Sequence, residues 1–359
     1  MTNPPQIPIE NIYYLFCYAW NRFEEAQAVS VGAEACPDLP NLLAKVLLNS
    51  SRLLLKRGLD REYRRHSEAI ATVRGHIDIS SSLRLRAKRA RQLHCEFDEL
   101  TADVPHNQIL KASLLRIARA PTIDRQLAHD LRSASQRFVG VGDIELRAST
   151  FSRIRLHRNN AHYELALRIC ELAFESLIPA PDGVGFTFQN VLRDERKMAR
   201  VFEEFIRNFY RLEQRQFIVR PLVMKWPAIP VHITSKLTLP RMITDIFLAS
   251  PDRSIIIDTK YYADMRSVFF GNETYRPDNI YQLFSYMSVA NSLSLCHGPL
   301  EGILIYPQNG ISAADTYIVN SMKLTIATVD LSQDWLKVAK TLLDLISFPS
   351  PNSSRSRIE

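Results

Sequence analysis

The chain contains no run of about 18 apolar residues, so no transmembrane helix is expected. Cysteine is scarce. Cys17, Cys36, Cys95, Cys170 and Cys296 are odd in number and scattered, with no C-x-x-C pair. That excludes a disulfide framework and a cysteine zinc site, and it leads us to expect reduced thiols in the cytoplasm. The nine histidines form no H-E-x-x-H or other compact ligand spacing. No G-x-x-x-x-G-K-[ST] loop occurs, so nucleotide binding by that route is excluded. The opening Met1 to Pro8 lacks the basic and apolar regions of a signal peptide, and none is expected. No internal repeat is found.

What remains is ordinary in size. A length of 359 residues with 46% apolar content supports one or two domains with a sizeable core. The net charge of +7 is unevenly spread. Arg52 to Arg91 is rich in arginine and poor in acids, and a second basic stretch runs over Arg153, Arg155, Arg158 and Arg168. Such clusters suit a phosphate backbone, an acidic protein surface, or only water. Arg84, Arg86, Lys88 and Arg89 are the candidate contacts with DNA or a partner.

Periodicity sketches the first half. Ile9 to Trp20 reads as a largely buried helix, and a second helix spans about Asn41 to Arg57. Strands are expected at Tyr63 to Val73, at Gly75 to Ile79 and at Cys95 to Leu100, with a basic helix near Ser80 to Ala90 before the last. Helices follow near His106 to Ile117, Ile123 to Phe138 and Asn160 to Leu177. The turn-rich Pro179-Ala180-Pro181-Asp182-Gly183 marks a domain boundary. The expected division is residues 1–180, residues 181–346, and a disordered Ser- and Pro-rich tail at 347–359.

The second half carries the chemistry. Glu195 to Arg211 has a wide apolar stripe of Met198, Val201, Phe202, Phe205, Ile206 and Phe209. Leu239 to Phe247 reads as a strand in which Asp245 closes an alternating run. After a short gap comes Ile255-Ile256-Ile257-Asp258-Thr259-Lys260. Strand side chains alternate, so Asp258 and Lys260 share a side. If the two strands pair, Asp245, Asp258 and Lys260 can converge. Two acids can hold a hard divalent cation, and the lysine can stabilise charge at a phosphate. A salt bridge between exposed strand ends would use the same residues. Asn279 to Tyr286 reads as a helix whose Gln282 and Tyr286 share a face. Strands at Gly302 to Pro307 and Leu324 to Val329, then a helix near Trp335 to Ile346, complete a mixed α/β plan.

An acid, then D-x-K, then Q-x-x-x-Y on a helix resembles the RecB-like branch of the PD-(D/E)xK nucleases. That resemblance implies catalytic roles for Asp245, Asp258, Lys260, Gln282 and Tyr286, and a further metal ligand at Glu203. A surface glutamate would also fit Glu203, with Glu204 beside it.

Over its length the chain resembles the McrC family. The resemblance runs through Asn11-Ile12-Tyr13-Tyr14, Arg74-Gly75-His76-Ile77, Phe97-Asp98-Glu99-Leu100 with Asn107, and Leu239-Pro240-Arg241-Met242. It continues through Asp258-Thr259-Lys260-Tyr261-Tyr262, Tyr281-Gln282-Leu283 and Leu304-Ile305-Tyr306-Pro307. It implies a Mg²⁺-dependent (or Mn²⁺-dependent) endonuclease acting on double-stranded DNA in a 5-methylcytosine-directed restriction system. It further implies a McrB-like AAA+ GTPase encoded nearby, into whose ring part of the N-terminal half inserts, stimulating GTP hydrolysis. The expected fold class is α+β, or mixed α/β: a helix-rich N-terminal domain with a small β element, then a restriction-endonuclease-like domain. The alternatives are a non-catalytic activator of an NTPase motor and a stand-alone RecB-like repair nuclease.

Overall fold

Helix α1 spans Ile9–Ala19 in the computed structural model, which describes residues 7–21, 36–87, 91–179, 186–188, 194–232, 234–235, 237–262, 265–269 and 272–347. This helix corrects the expected division. The chain forms two compact units, one of residues 1–24 with 190–359 and one of residues 25–189. The reason is how α1 satisfies its polar groups. Asn11 Nδ2 donates to the carbonyls of Leu331 (2.8 Å) and Gln333 (2.6 Å). Asn208 Nδ2 donates to the last carbonyls of the helix, at Tyr18 and Ala19. Tyr18 lies edge-on to Phe205 and stacks on Trp335. The aromatic residues that make α1 a buried helix are matched by apolar surface from the far end of the sequence.

The unit of residues 25–189 is described by itself. Helix α2 (Leu39–Arg57) starts at Asp38, whose carboxylate accepts from Asn41 N at 2.9 Å, with a proline in its first turn. Strands β1 (Glu62–Ile70), β2 (His76–Ile77) and, after helix α3 (Ile79–Ala87), β3 (Leu93–Thr101) form an antiparallel sheet in the order β1-β3-β2. Gly75 is required before β2: its φ is +67°, and a Cβ there would lie 2.3 Å from the Glu96 carbonyl oxygen. Helices α4 (Pro105–Ile117), α5 (Arg125–Gln136), α6 (Ala148–Ser152) and α7 (Glu164–Ser176) follow. Strand β4 (Leu177–Pro179) then pairs with β5 (Phe186–Phe188), a hairpin that periodicity did not suggest. Most of the expected turn at 179–183 lies outside the described residues, as do residues 348–359 of the expected tail.

In the other unit, helix α8 (Glu195–Glu213) is capped by Asp194, which accepts from Lys197 N. Strands β6 (Ile218–Arg220), β7 (Val223–Met224), β8 (Met242–Ile243), β9 (Ile246–Ala249), β10 (Ser254–Thr259), β11 (Arg266–Phe269) and β12 (Asn272–Tyr275) lead to helix α9 (Pro277–Ser292). Strands β13 (Leu300–Pro307), β14 (Ala314–Val319) and β15 (Met322–Val329) and helix α10 (Trp335–Ile346) end the unit. The main sheet has the order β14-β15-β13-β10-β9-β6. Strand β10 is parallel to β13 and antiparallel to β9.

Strand β10 is buried on both faces, which explains its unbroken apolar run. Ile255 and Ile257 join a core with Phe202, Phe205 and Phe209 of α8, Tyr18 of α1 and Val338 and Leu342 of α10. Ile256 enters the opposite core, with Leu283 and Met287 of α9. Each fully buried phenylalanine or leucine contributes about 1.5–3 kcal/mol. Helix α9 approaches closely because residue 302 is glycine: a Cβ there would lie 2.2 Å from Met287 Sδ. The two cores hold the end of β10 between α8 and α9.

Candidate active site

The register of the sheet brings the acids near each other. Ile246 pairs with Ile257. The paired register ends there, with Asp245 just before β9 and Asp258 one residue further along β10. The expected single strand through Asp245 is in fact two. Thr244 leaves the strand path: its N–H donates to the Leu222 carbonyl (3.1 Å), and its Oγ1 accepts from Leu222 N (3.0 Å). Asp245 therefore stands at the break between β8 and β9, free of strand alternation. Its Oδ2 accepts from Thr259 N (2.9 Å) and Thr259 Oγ1 (3.2 Å).

Beyond β10, Lys260 keeps the backbone path by donating its N–H to the Ile305 carbonyl. Its side chain lies on the α9 side. Lys260 Nζ is 2.7 Å from Asp258 Oδ2 and donates to Gln282 Oε1 at 3.0 Å. Gln282 Nε2 in turn donates to Tyr286 OH at 3.0 Å. The shared helix face expected of Gln282 and Tyr286 is present, and it leads to the lysine.

Asp258 is the deepest of these groups, with a side chain only 1% exposed. Neither of its oxygens has a protein hydrogen-bond partner of ordinary geometry. Burial, and then the charge of Asp245, push its carboxyl up to about 7, against the opposing pull of Lys260. Burial alone would lower the Lys260 ammonium, but Asp258 outweighs it and holds the group above its ordinary value. A buried carboxyl with Oδ1 open and Oδ2 paired only to the Lys260 ammonium, near a second acid, fits a hard divalent cation.

Glu203, on α8, is engaged by the Arg207 guanidinium one turn later. Arg207 Nε also donates to the Asp245 carbonyl at 3.1 Å. Burial, then Asp245, raise the Glu203 carboxyl, while Arg207 opposes the rise. Glu204 pairs outward with Arg200 at 3.4 Å. Among the described residues, the acids Glu203, Asp245 and Asp258 do not form a group whose ligand atoms all lie within 4.8 Å of one another. Arg207 and Thr259 were missed from sequence. The spacing of Glu203 and Arg207, four apart on one helix, was the available signal for the first. Nothing in the strand pattern marked Thr259.

A group that does reach that spacing is elsewhere: Asp60, Glu62 and His106, in the unit of residues 25–189. His106 Nε2 is 3.0 Å from Asp60 Oδ2, which also accepts from Asn160 Nδ2. Asn107 Nδ2 donates to the Asp60 carbonyl, and Asp60 N donates to Tyr163 OH. These bonds fasten three segments of one unit together. Of the basic residues singled out above, Arg84 is exposed on α3. Lys88 and Arg89, and the side chain of Arg86, lie outside the described residues.

Among the described residues no helix is long and apolar enough to cross a membrane. Comparison with known proteins gives a consistent family. The chain is 28% identical over 342 residues to the type IV methyl-directed restriction enzyme EcoKMcrBC of Escherichia coli K12, covering 95% of this chain and 97% of that protein. In fold it resembles a chain of the Thermococcus gammatolerans assembly of McrB AAA+ hexamers with bound McrC. The TM-score is 0.60 at 16% identity, over 94% of this chain and 75% of that one. A family model described as "McrBC 5-methylcytosine restriction system component" matches residues 10–307. With the match spanning both compact units, the chain belongs to the McrBC 5-methylcytosine restriction system component family.

Proposed function

We propose that the chain is the DNA-cleaving subunit of a 5-methylcytosine-directed restriction system, acting with a McrB-like AAA+ GTPase. The observation that carries the reading is the connected set Asp245, Asp258, Lys260, Gln282 and Tyr286 at one end of β9 and β10. Asp245 and Asp258 would hold Mg²⁺ or Mn²⁺, which when bound activates water and neutralises charge at the phosphate. Lys260 presents an ammonium to the developing phosphate charge. Gln282 and Tyr286 fix where that ammonium stands. Thr259 holds the Asp245 carboxylate through its N–H and its hydroxyl. Glu203 serves as a further acid if Arg207 releases it.

The relatives support the partner. One curated relative is a methyl-directed restriction enzyme, and one structural relative comes from an assembly of McrB with McrC. No phosphate-binding loop occurs in this sequence, consistent with a motor supplied in trans. We assign motor docking to the unit of residues 25–189, with Arg84, Arg86, Lys88 and Arg89 among its contacts. Scattered cysteines fit a cytoplasmic setting. The test is cleavage of methylated and unmethylated duplexes, with and without the neighbouring motor, in GTP or ATP. Cutting of methylated DNA that needs both motor and GTP is the expected result. Equal cutting of both duplexes without the motor contradicts the partner reading.

A further inference from the structure

Between β7 and β8 the chain makes an arm of unusual composition. Residues 223–243 contain no aspartate or glutamate. They carry apolar side chains that the fold leaves outside: Trp226 (43% exposed), Ile229 (88%), Val231 (97%), Leu237 (86%) and Leu239 (63%). Scattered exposed apolar residues need no explanation, but a contiguous set marks a surface that meets something. At the root, Val223 pairs with Ile243 and Met224 with Met242. Both methionines are buried in the α9-side core, while Val223 and Ile243 face out. Trp226 Nε1 donates to the Pro240 carbonyl at 2.9 Å, bracing the two sides of the arm.

The arm is fastened to the site. The Thr244–Leu222 bonds that close its root are made by the residue next to Asp245. A strand of nucleic acid with a phosphate at Asp245 and Asp258 therefore passes the root of the arm. Two exposed cations, Lys225 and Arg241, stand there, and neither has an acidic partner among the described residues. Acid-free composition and cations at the root match a polyanion, whereas the apolar residues between them match the faces of bases.

We propose that the arm of residues 223–243 is a DNA-deforming element: it enters a groove of the duplex beside the scissile phosphate and wedges aliphatic side chains against a base step. This rests on the nuclease reading of Asp245 and Asp258. Apolar wedges of this kind unstack a step at a cost of about a few kcal/mol and gain contact with bent DNA. The arm thus serves placement of the cut, and the acids serve the cut itself.

The test uses the full chain, a duplex carrying 2-aminopurine at successive positions, and Ca²⁺ to bind DNA without turnover. Wild-type protein is expected to raise the 2-aminopurine fluorescence at a local cluster of positions. The variant Ile229→Ser with Val231→Ser, at two nearly fully exposed positions, is expected to lose that rise. It should also bind about tenfold more weakly with an unchanged melting temperature. Wild-type protein that gives no local fluorescence rise overturns the proposal, as does a variant that keeps both signal and affinity. A variant that binds DNA normally but loses self-association in sedimentation also overturns it, by making the arm a protein contact. Asp258→Asn separates the two readings: it should lose cleavage when assayed in Mg²⁺ with the neighbouring motor and GTP, while the arm, which carries none of the acids of the site, should still raise the fluorescence in that variant. Cleavage retained in that variant removes the nuclease reading and leaves the arm's effect on stacking to be judged alone.

Discussion

The Lys260 ammonium stands 2.7 Å from Asp258 Oδ2, on the same face of the chain and two residues away. Gln282 holds the other side of that ammonium at 3.0 Å, and Tyr286 holds Gln282. The lysine is thereby fixed by two elements, a strand end and a helix, that have separate reasons to be where they are.

Gln282→Ala should therefore lower the cleavage rate about 10- to 100-fold, the usual range for losing a group that orients a ligating or reacting one. Tyr286→Phe, which keeps the ring and removes only the hydroxyl, should cost less. Gln282→Glu should recover part of the loss, since it keeps an oxygen for Lys260. Rates in single turnover check this, and a Gln282→Ala enzyme at wild-type rate contradicts it.

A second expectation concerns the cation. Binding of a divalent ion to the folded protein alone raises stability by about 2.7 kcal/mol at a hundredfold excess over Kd. Mg²⁺, Mn²⁺ and Ca²⁺ should each raise the melting temperature of the wild type, and Asp258→Asn should abolish the rise. Calcium should stabilise without supporting turnover. Equal shifts in both proteins would place the ions elsewhere, for example at Asp60, Glu62 and His106.

Stability in this unit depends on a second buried charge set. Arg253 forms a two-pronged pair with Glu301 (2.6 and 2.8 Å) and also donates to the carbonyls of Ile346 and Ser347. Burial works to raise the Glu301 carboxyl, but Arg253 outweighs it and holds the group below its ordinary value. A depressed carboxyl contributes stability that is full above the unfolded value near 4.5 and lost as pH falls through the folded value. Glu301→Gln should cost about 3–5 kcal/mol at neutral pH, because it leaves Arg253 buried without its partner. Urea melts at pH 7 and pH 4 should show the difference between the proteins shrinking at low pH.

The first helix gives a fourth check. Asn208→Ala removes the donor to the carbonyls of Tyr18 and Ala19. Leaving those groups unsatisfied should destabilise the unit of residues 1–24 and 190–359 by about 1–3 kcal/mol. Hydrogen exchange should show protection lost in Ile9–Ala19 and in α8 together. Loss confined to α1 would mean that the helix is a dispensable cover.

Much of this was legible in the residues, and the failures have physical causes. The β10 run Ile255-Ile256-Ile257 was plain because a strand buried on both faces must be apolar throughout. The face shared by Gln282 and Tyr286 follows from helix geometry. The break at Thr244 was not legible, since it depends on Leu222, twenty-two residues away. The placement of α1 was hidden for a related reason. Its partners Asn208, Leu331 and Trp335 are far along the chain, and sequence proximity favoured the wrong neighbour. The short hairpins β4–β5 and β11–β12 are too brief to show a period.

The central claim is that Asp245, Asp258 and Lys260 form one centre that breaks a phosphodiester bond. Single-turnover cleavage of methylated duplex, with the neighbouring GTPase, GTP and Mg²⁺, tests it most directly. Asp258→Asn and Lys260→Ala should each lose cleavage by three orders of magnitude or more (about 4 kcal/mol in the barrier) while still folding and still stimulating GTP hydrolysis. Either variant cutting at the wild-type rate would contradict the account.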